Sequence, residues 1–398
     1  MRTFRTAEPF GAPAARRLAR AGLIYFMIRI TVVCDLCAGL ARRAGKWRDT
    51  AVISGNSFPF QVIEILQIMH KNQELKISVA PMMDWTDRHC RWFHRQLSAH
   101  TRLYTEMVVA DAVIHGPRDR LLGFDEIEHP VALQIGGSDP DKLATATEIG
   151  ASYGYDEVNL NVGCPSDRVQ AGRFGACLMA EPELVAECFT AMNGATDAEV
   201  TVKCRLGIDD QEVETTLPAF IETVADAGCE TFIIHARKAW LKGLSPKDNR
   251  TIPPIDYDLV DRMKERFPEL DIIVNGQVTD VAHATEVMGK RLDGAMFGRA
   301  AYNTPWILTE VDARWFGGEG FAASRMEIAE RLIGYAESRE ESDRSTKALI
   351  RHVMGLFAGQ PGARVWRRTL SEGLGRKEPP SAILRAGLEA MQALKHAA

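Results

Sequence analysis

The sequence predicts a (β/α)8 barrel followed by a small all-helical C-terminal domain. Between Ile77 and Gly298, eight short β-branched and apolar runs alternate with helix-compatible segments, with turn residues between them. A polar residue stands at or just past the C-terminal end of every run, and a barrel brings those ends to one mouth. After Phe321 the strand signal stops and only helical periodicity remains.

In chain order, run 77–82 leads to Asp84, 103–107 carries Glu106, 131–136 carries Gln134 and 157–162 carries Asn161. Run 200–206 carries Lys203, 231–236 carries His235, 271–275 ends on Asn275 and 294–298 leads to Arg299. Such alternation also suits a doubly wound open sheet; the barrel is preferred because it makes neighbours of eight remote polar positions. In the tail, Ser324 and Glu327 form a capping box, and Ile328, Leu332 and Tyr335 make an apolar stripe. Leu349, Val353, Leu356 and Phe357 make a second stripe, closed by the segment 359–362, and a last helix over 382–394 follows Pro379 and Pro380. The expected organisation is an atypical extension over 1–70, a barrel over 71–322 and a helical domain over 323–398 beside the barrel mouth.

The composition is that of an ordinary globular protein: 398 residues, 46% hydrophobic and 25% charged. Eight cysteines, at 34, 37, 90, 164, 177, 188, 204 and 229, follow no disulfide-framework spacing, and a reducing cytoplasm suits them. The formal net charge of −5 is unevenly spread. Residues 1–70 carry ten Arg and Lys against four Asp and Glu, and residues 325–398 thirteen against nine, which leaves the middle of the chain acidic. An acidic body with a basic C-terminal segment is compatible with nucleic acid held by that segment, although scattered surface charge more commonly serves solubility. Within 1–70, the apolar stretch 21–33 is short and interrupted by Arg29, so it does not read as a membrane span. A coherent globular pattern begins only near Met69 or Lys71. Sequence translated from too early a start codon is the preferred reading of what precedes it, against a targeting segment or an extra module.

Asn275-Gly276-Gln277 follows the seventh run and Gly298-Arg299 the eighth, where barrels of this kind commonly bind phosphorylated ligands. Glycine lets backbone N–H groups approach phosphate and arginine neutralises it; the competing reading is glycines that only make tight turns. Pro81, Met82 and Met83 offer adaptable apolar surface for a flat aromatic ring, and Gln134 offers a donor and an acceptor to its edge. Lys203 would hold positive charge where a reduced flavin becomes anionic, and His235 would add a donor. Singly, each is as readily a satisfied strand-end residue; together they favour a phosphorylated flavin. Cys164 stands on a glycine-punctuated loop after the fourth run, where a thiol can act as a general acid, whereas the other seven cysteines read as inert. No spacing suggests a zinc site or a protease-like triad.

Several segments carry a resemblance: Val79-Ala80-Pro81-Met82-Met83-Asp84-Trp85-Thr86-Asp87-Arg88, Leu133-Gln134-Ile135-Gly136-Gly137, residues 159–168, His235-Ala236-Arg237-Lys238-Ala239-Trp240 and Asn275-Gly276-Gln277. In this order they resemble the tRNA-dihydrouridine synthase family, flavin enzymes on a TIM barrel. The run Lys238-Ala239-Trp240-Leu241-Lys242-Gly243-Leu244-Ser245-Pro246-Lys247 resembles its A-type subfamily, which acts on uridines 20 and 20a of the D-loop. The similarity covers about residues 71–385. It implies FMN contacts from Pro81, Met82, Met83, Gln134, Lys203, His235, Asn275, Gly276, Gln277, Gly298 and Arg299, and a proton donor in Cys164. Asn161, Lys247 and Arg250 match positions near the tRNA, and Arg364, Arg367 and Arg368 lie in the helical domain that grips it. Gln277 departs from the pattern, since many relatives have a small residue there.

The resemblance implies hydride transfer from an NADPH-reduced flavin to carbon 6 of an extruded uracil, with Cys164 protonating carbon 5. An FMN-dependent free-pyrimidine reductase shares the fold, the flavin and a catalytic loop; the basic helical tail argues against it, because a free base needs no phosphate-binding extension. A non-catalytic RNA-binding barrel is opposed by Lys203, His235 and Gly298-Arg299. A monomer is the default, and no Rossmann fingerprint separates NADPH from NADH.

Overall fold

A computed structural model describes residues 75–397. The expectations for residues 1–70, Cys34 and Cys37 included, lie outside the described residues. Among the described residues nine strands form: β1 (Lys76–Val79), β2 (Arg102–Tyr104), β3 (Val108–Val109), β4 (Val131–Gly136), β5 (Glu157–Val162), β6 (Glu199–Arg205), β7 (Thr231–His235), β8 (Asp271–Asn275) and β9 (Gly294–Phe297). All pair in parallel, β2 bonds both β1 and β4, and β9 returns to β1 with Lys76 opposite Gly294. That return closes an eight-stranded barrel and excludes the open doubly wound sheet. Closure brings two backbones into contact at Gly294, where an added Cβ would lie 2.0 Å from Lys76 O; only glycine fits.

Two strands end earlier than the sequence suggests, β1 at Val79 and β2 at Tyr104. Pro81 has no N–H for the ladder, and Met82 O accepts instead from Trp85 N and Thr86 N, both at 3.0 Å, turning the chain off the sheet. The alternation did not reveal β3, two residues that pair with Ile135 and Gly136 of β4. The other six strands lie within a residue of expectation.

An ion network occupies the N-terminal strand ends. Lys76 bonds Glu199, Arg102 reaches Glu157 at 2.5 Å and Glu199 at 3.0 Å, and Tyr104 donates to Glu157 at 2.5 Å. Above it Ala80, Ala132, Ile233, Ile273 and Met296 fill the barrel interior, leaving the opposite end to the polar residues.

In the tail, helix Arg325–Arg339 opens on the expected capping box: Glu327 N donates to Ser324 Oγ at 3.3 Å and Ser324 N to Glu327 Oε2 at 2.6 Å. Both apolar stripes are buried, but the second does not lie on one helix. Ala348–His352 passes into the 3-10 turn Val353–Gly355, and an added Cβ at Gly355 would lie 2.6 Å from Asn303 O. Helix Ala363–Arg376 was not legible, because Trp366 and Leu370 are a weak apolar signal among exposed arginines. The last helix, Pro380–Ala397, begins at a proline, as a first helical turn allows. These helices pack on the barrel: Tyr335 stacks on Trp92 at 4.0 Å, and His352 Nε2 meets Asp87 Oδ2 at 2.9 Å. Among the described residues, no helix is long and apolar enough to cross a membrane.

Candidate functional site

The mouth gathers cations. Lys203 and Arg205 alternate along β6, His235 ends β7, Arg237 and Arg250 follow in the next loop, and Arg299 comes just after β9. Lys203 Nζ donates to Asn275 Oδ1 at 3.0 Å, and burial with Arg205 beside it lowers the ammonium to about 8. Burial pushes His235 well below the usual imidazole range, and Arg205, Lys203, Arg237 and Arg250 push it further, so the ring is neutral at pH 7. Burial also lowers Arg205 to about 10, with Arg250 and Arg237 contributing. Among the described residues, none of Lys203, Arg205, His235, Arg237 and Arg250 forms an ion pair with a carboxylate; the cations bond Asn275, Gln277 and backbone carbonyls instead. Gathered like charges with no counter-ion call for an anion.

The adjoining backbone has the matching form. Gly276 sits at φ +117, and an added Cβ would lie 2.8 Å from His235 Cδ2, so the turn requires glycine. Gln277 also adopts the left-handed region, at φ +52, and its Oε1 accepts from Arg237 Nη2 at 2.5 Å. The residue that departs from the small-residue pattern thus pins an arginine. Arg237 Nε is buried without a partner, and no atom lies near the place a side chain would take at Gly298. An unsatisfied buried donor, a glycine-lined opening and an uncompensated cation cluster fit a phosphate group.

Across the mouth Pro81 and Met82 are half-buried and Met83 is 55% exposed. Gln134 is buried with its amide engaged on both sides, Nε2 donating to Asn159 Oδ1 and Oε1 accepting from Asn161 Nδ2, each at 2.8 Å. Asn161 is itself buried, and its Oδ1 accepts from Gly163 N at 3.2 Å and Cys164 N at 3.0 Å. Its carboxamide therefore bridges Gln134, through Nδ2, to the Cys164 loop, through Oδ1.

Cys164 is half-buried, with Sγ 3.5 Å from Ser166 Oγ and its carbonyl accepting from Ala176 N at 2.9 Å. Gly175, at φ +75, lets the loop close: an added Cβ would lie 2.6 Å from Cys164 O and 2.3 Å from Val169 Cγ1. Burial raises the thiols of Cys90, Cys177, Cys188, Cys204 and Cys229, which suits the inert reading. Arg205, which the sequence reading did not single out, ties the Cys164 loop to the loop after β7, donating to Gly163 O (3.1 Å), Lys238 O (3.2 Å) and Asn249 O (3.0 Å). Gln170 adds a second tie, donating to Pro165 O at 2.8 Å and Leu241 O at 2.9 Å. A cation two residues after Lys203 on one strand was the available signal for Arg205. Arg299 Nη2 donates to Arg250 O at 3.3 Å, and Arg250 lies within electrostatic reach of Cys164. Lys247 is exposed on the same loop as Arg250. Arg364, Arg367 and Arg368 are exposed on helix Ala363–Arg376; the first two line an open cleft with Gln360 and Leu394, and Arg368 faces Glu372 at 3.9 Å.

A closed parallel barrel with a cysteine loop beside an anion-seeking mouth defines a barrel enzyme for a phosphorylated ligand. The chain belongs to the dihydrouridine synthase family, whose profile matches residues 78–396. It is 53% identical over 302 residues to a tRNA-dihydrouridine(20/20a) synthase of Xanthomonas campestris, covering 76% of this chain and 89% of the relative. Proteins of the same name from Vibrio cholerae and Synechocystis are 54% and 50% identical over 75% and 79% of this chain, covering 90% and 94% of their own lengths. Among solved structures, an old yellow enzyme homologue from Zymomonas mobilis overlaps 64% of this chain and 91% of its own, at 13% identity and a TM-score of 0.44.

Proposed function

We propose that this protein reduces the C5=C6 bond of uridine in tRNA to 5,6-dihydrouridine, with FMN as cofactor and NADPH as reductant. The observation that carries the reading is Cys164 on a loop that Arg205 holds through Gly163 O at 3.1 Å, at a mouth where Lys203, Arg237 and Arg250 gather without an ion-paired carboxylate. Relatives about half identical and named tRNA-dihydrouridine(20/20a) synthase support tRNA as substrate and positions 20 and 20a of the D-loop as targets.

The donor set suits FMN. Arg237, Gly276, Gln277, Gly298 and Arg299 would hold its phosphate, and Pro81, Met82, Met83, Gln134, Lys203, His235 and Asn275 its ring and tail. When bound, the flavin supplies the hydride that carbon 6 of uracil accepts. Lys203, lowered to about 8, still carries its charge at neutral pH and offsets negative charge at the site. The Cys164 thiol gives its proton to carbon 5, while Arg205 and Asn161 hold its loop in place. Exposed Lys247, Arg250, Arg364, Arg367 and Arg368 contact RNA phosphates. Those contacts offset the few kcal/mol, in order of magnitude, that extruding a base costs. In this reading residues 71–322 form the FMN-binding barrel and 323–398 the tRNA-binding helical domain of a monomeric cytoplasmic enzyme.

The test is nucleoside mass spectrometry on unmodified tRNA incubated with the protein, FMN and NADPH. Dihydrouridine at positions 20 or 20a is the expected product. A yellow protein that oxidises NADPH, leaves tRNA unchanged and reduces free uracil would instead be a free-pyrimidine reductase; a colourless protein that binds tRNA would be a non-catalytic RNA-binding barrel.

A further inference from the structure

A chain of side-chain hydrogen bonds climbs the inside of the barrel from the ion network to the Cys164 loop. Glu157, buried at its foot, receives three donors, each at 2.5 Å: Arg102 Nη1 on Oε2, and Tyr104 and Thr201 hydroxyls on Oε1. Thr201 has one proton, and once it is committed to Glu157 the hydroxyl oxygen only accepts, from Asn159 Nδ2 at 2.7 Å. Asn159 therefore turns Oδ1 to Gln134 Nε2 at 2.8 Å, and Gln134 turns Oε1 to Asn161 Nδ2 at 2.8 Å. Asn161 is left presenting Oδ1 to the N–H groups of Gly163 and Cys164. Strand register makes the chain possible, because Gln134 pairs with Asn159 and Asn159 with Thr201 across adjacent strands. Thr201, Asn159 and Gln134 are at most 1% exposed, so water does not compete for these bonds. Each amide then has one orientation that satisfies both neighbours, and the carboxylate dictates it.

We infer that Glu157 and Thr201 are positioning residues for the Cys164 thiol, setting through Asn159 and Gln134 which atom Asn161 shows to the loop. The inference rests on the reading of Cys164 as proton donor. Were the Asn161 carboxamide reversed, its NH2 would face two backbone N–H groups, and the loop would have to move away. A displacement of that kind at a reacting group lowers the chemical step.

Thr201→Val keeps the shape of the side chain and removes the hydroxyl; Thr201→Ser restores the hydroxyl. In Thr201→Val, dihydrouridine formation by reduced enzyme should fall about ten- to a hundredfold. Affinity for tRNA should stay as in the unaltered enzyme, because the exposed arginines of the helical domain are not in the hydrogen-bond chain. The rate at which iodoacetamide alkylates Cys164, followed by peptide mass spectrometry, should change with it, and Thr201→Ser should return both quantities. Should Thr201→Val fail to fold, Asn159→Asp makes the same test, since it replaces the Nδ2 donor by an oxygen facing the Thr201 hydroxyl. Unchanged turnover and alkylation, or a loss that Thr201→Ser does not restore, would overturn the inference. Cys164→Ala keeps the two readings apart: if that variant is fully active the proton-donor role falls, and the alkylation rates alone decide whether the chain positions the thiol.

Discussion

Replacing Cys164 by alanine separates chemistry from binding at this site. The side chain is half-buried and Sγ has one weak contact, 3.5 Å to Ser166 Oγ, so its removal should cost about 1 kcal/mol of stability or less. The bonds that shape the loop are made by backbone atoms, Cys164 N to Asn161 and Ala176 N to Cys164 O, and both survive the substitution. No part of the cation cluster is altered. A positioned general acid contributes roughly 10²–10⁴ in rate, which corresponds to about 3–5 kcal/mol of barrier. The variant should therefore bind FMN and be reduced by NADPH as the unaltered enzyme is, yet form dihydrouridine at least about a hundredfold more slowly. Single-turnover mixing of anaerobically reduced enzyme with unmodified tRNA measures that step, with flavin reoxidation read by absorbance and product by nucleoside mass spectrometry. Product formation within about twofold of the unaltered enzyme would be too small an effect for a general acid and would refute the role.

Four further outcomes are expected. Arg364→Ala with Arg367→Ala should weaken tRNA binding and lower the slope of log affinity against log salt by about 2, while sparing NADPH oxidation; failed flavin reduction would place those arginines in the barrel's chemistry instead. FMN affinity, followed by flavin fluorescence, should fall as pH rises through about 8, where Lys203 loses its charge, and a flat profile from about pH 7 to 9 would contradict that role. The sign is opposite for the ligand-free protein. The Lys203 ammonium is lowered from 10.5 when folded, so the unfolded chain holds the extra proton and this group makes stability rise between about pH 8 and 10.5; a falling contribution, seen by comparing Lys203→Met in urea unfolding, would contradict it. Arg91→Ala should cost about 3–5 kcal/mol in the same assay, because Arg91 Nε bonds Glu128 Oε2 at 2.7 Å with both side chains buried, and a loss under about 1 kcal/mol would show that water reaches Glu128.

Much of the barrel was legible, because a strand buried on both faces must be written in β-branched and apolar residues with turn chemistry at its ends. What that pattern does not encode is pairing, so the choice between closed barrel and open sheet waited on β9 meeting β1 at Gly294. Helix Ala363–Arg376 was missed for a related reason: its buried face is narrow, and its arginines read as surface. In the site, Lys203, His235, Gly276, Gly298 and Cys164 announced themselves by position at strand ends. Arg205 and Asn159 did not, since their importance lies in partners supplied by other strands.

By itself the sequence determined the repeating strand and helix units, the mouth at the C-terminal strand ends and the residue types gathered there, because these follow from local periodicity and from motifs contiguous in the chain. Only the tertiary structure decided that Arg237, Arg250 and Arg299 come within electrostatic reach of one another at the mouth, and that a buried carboxylate at the opposite end of the barrel orients the amide beneath Cys164. Those are properties of distance and burial. Charges and hydrogen bonds act through space in a low-dielectric interior, and residues far apart in sequence become partners only when barrel closure makes them neighbours.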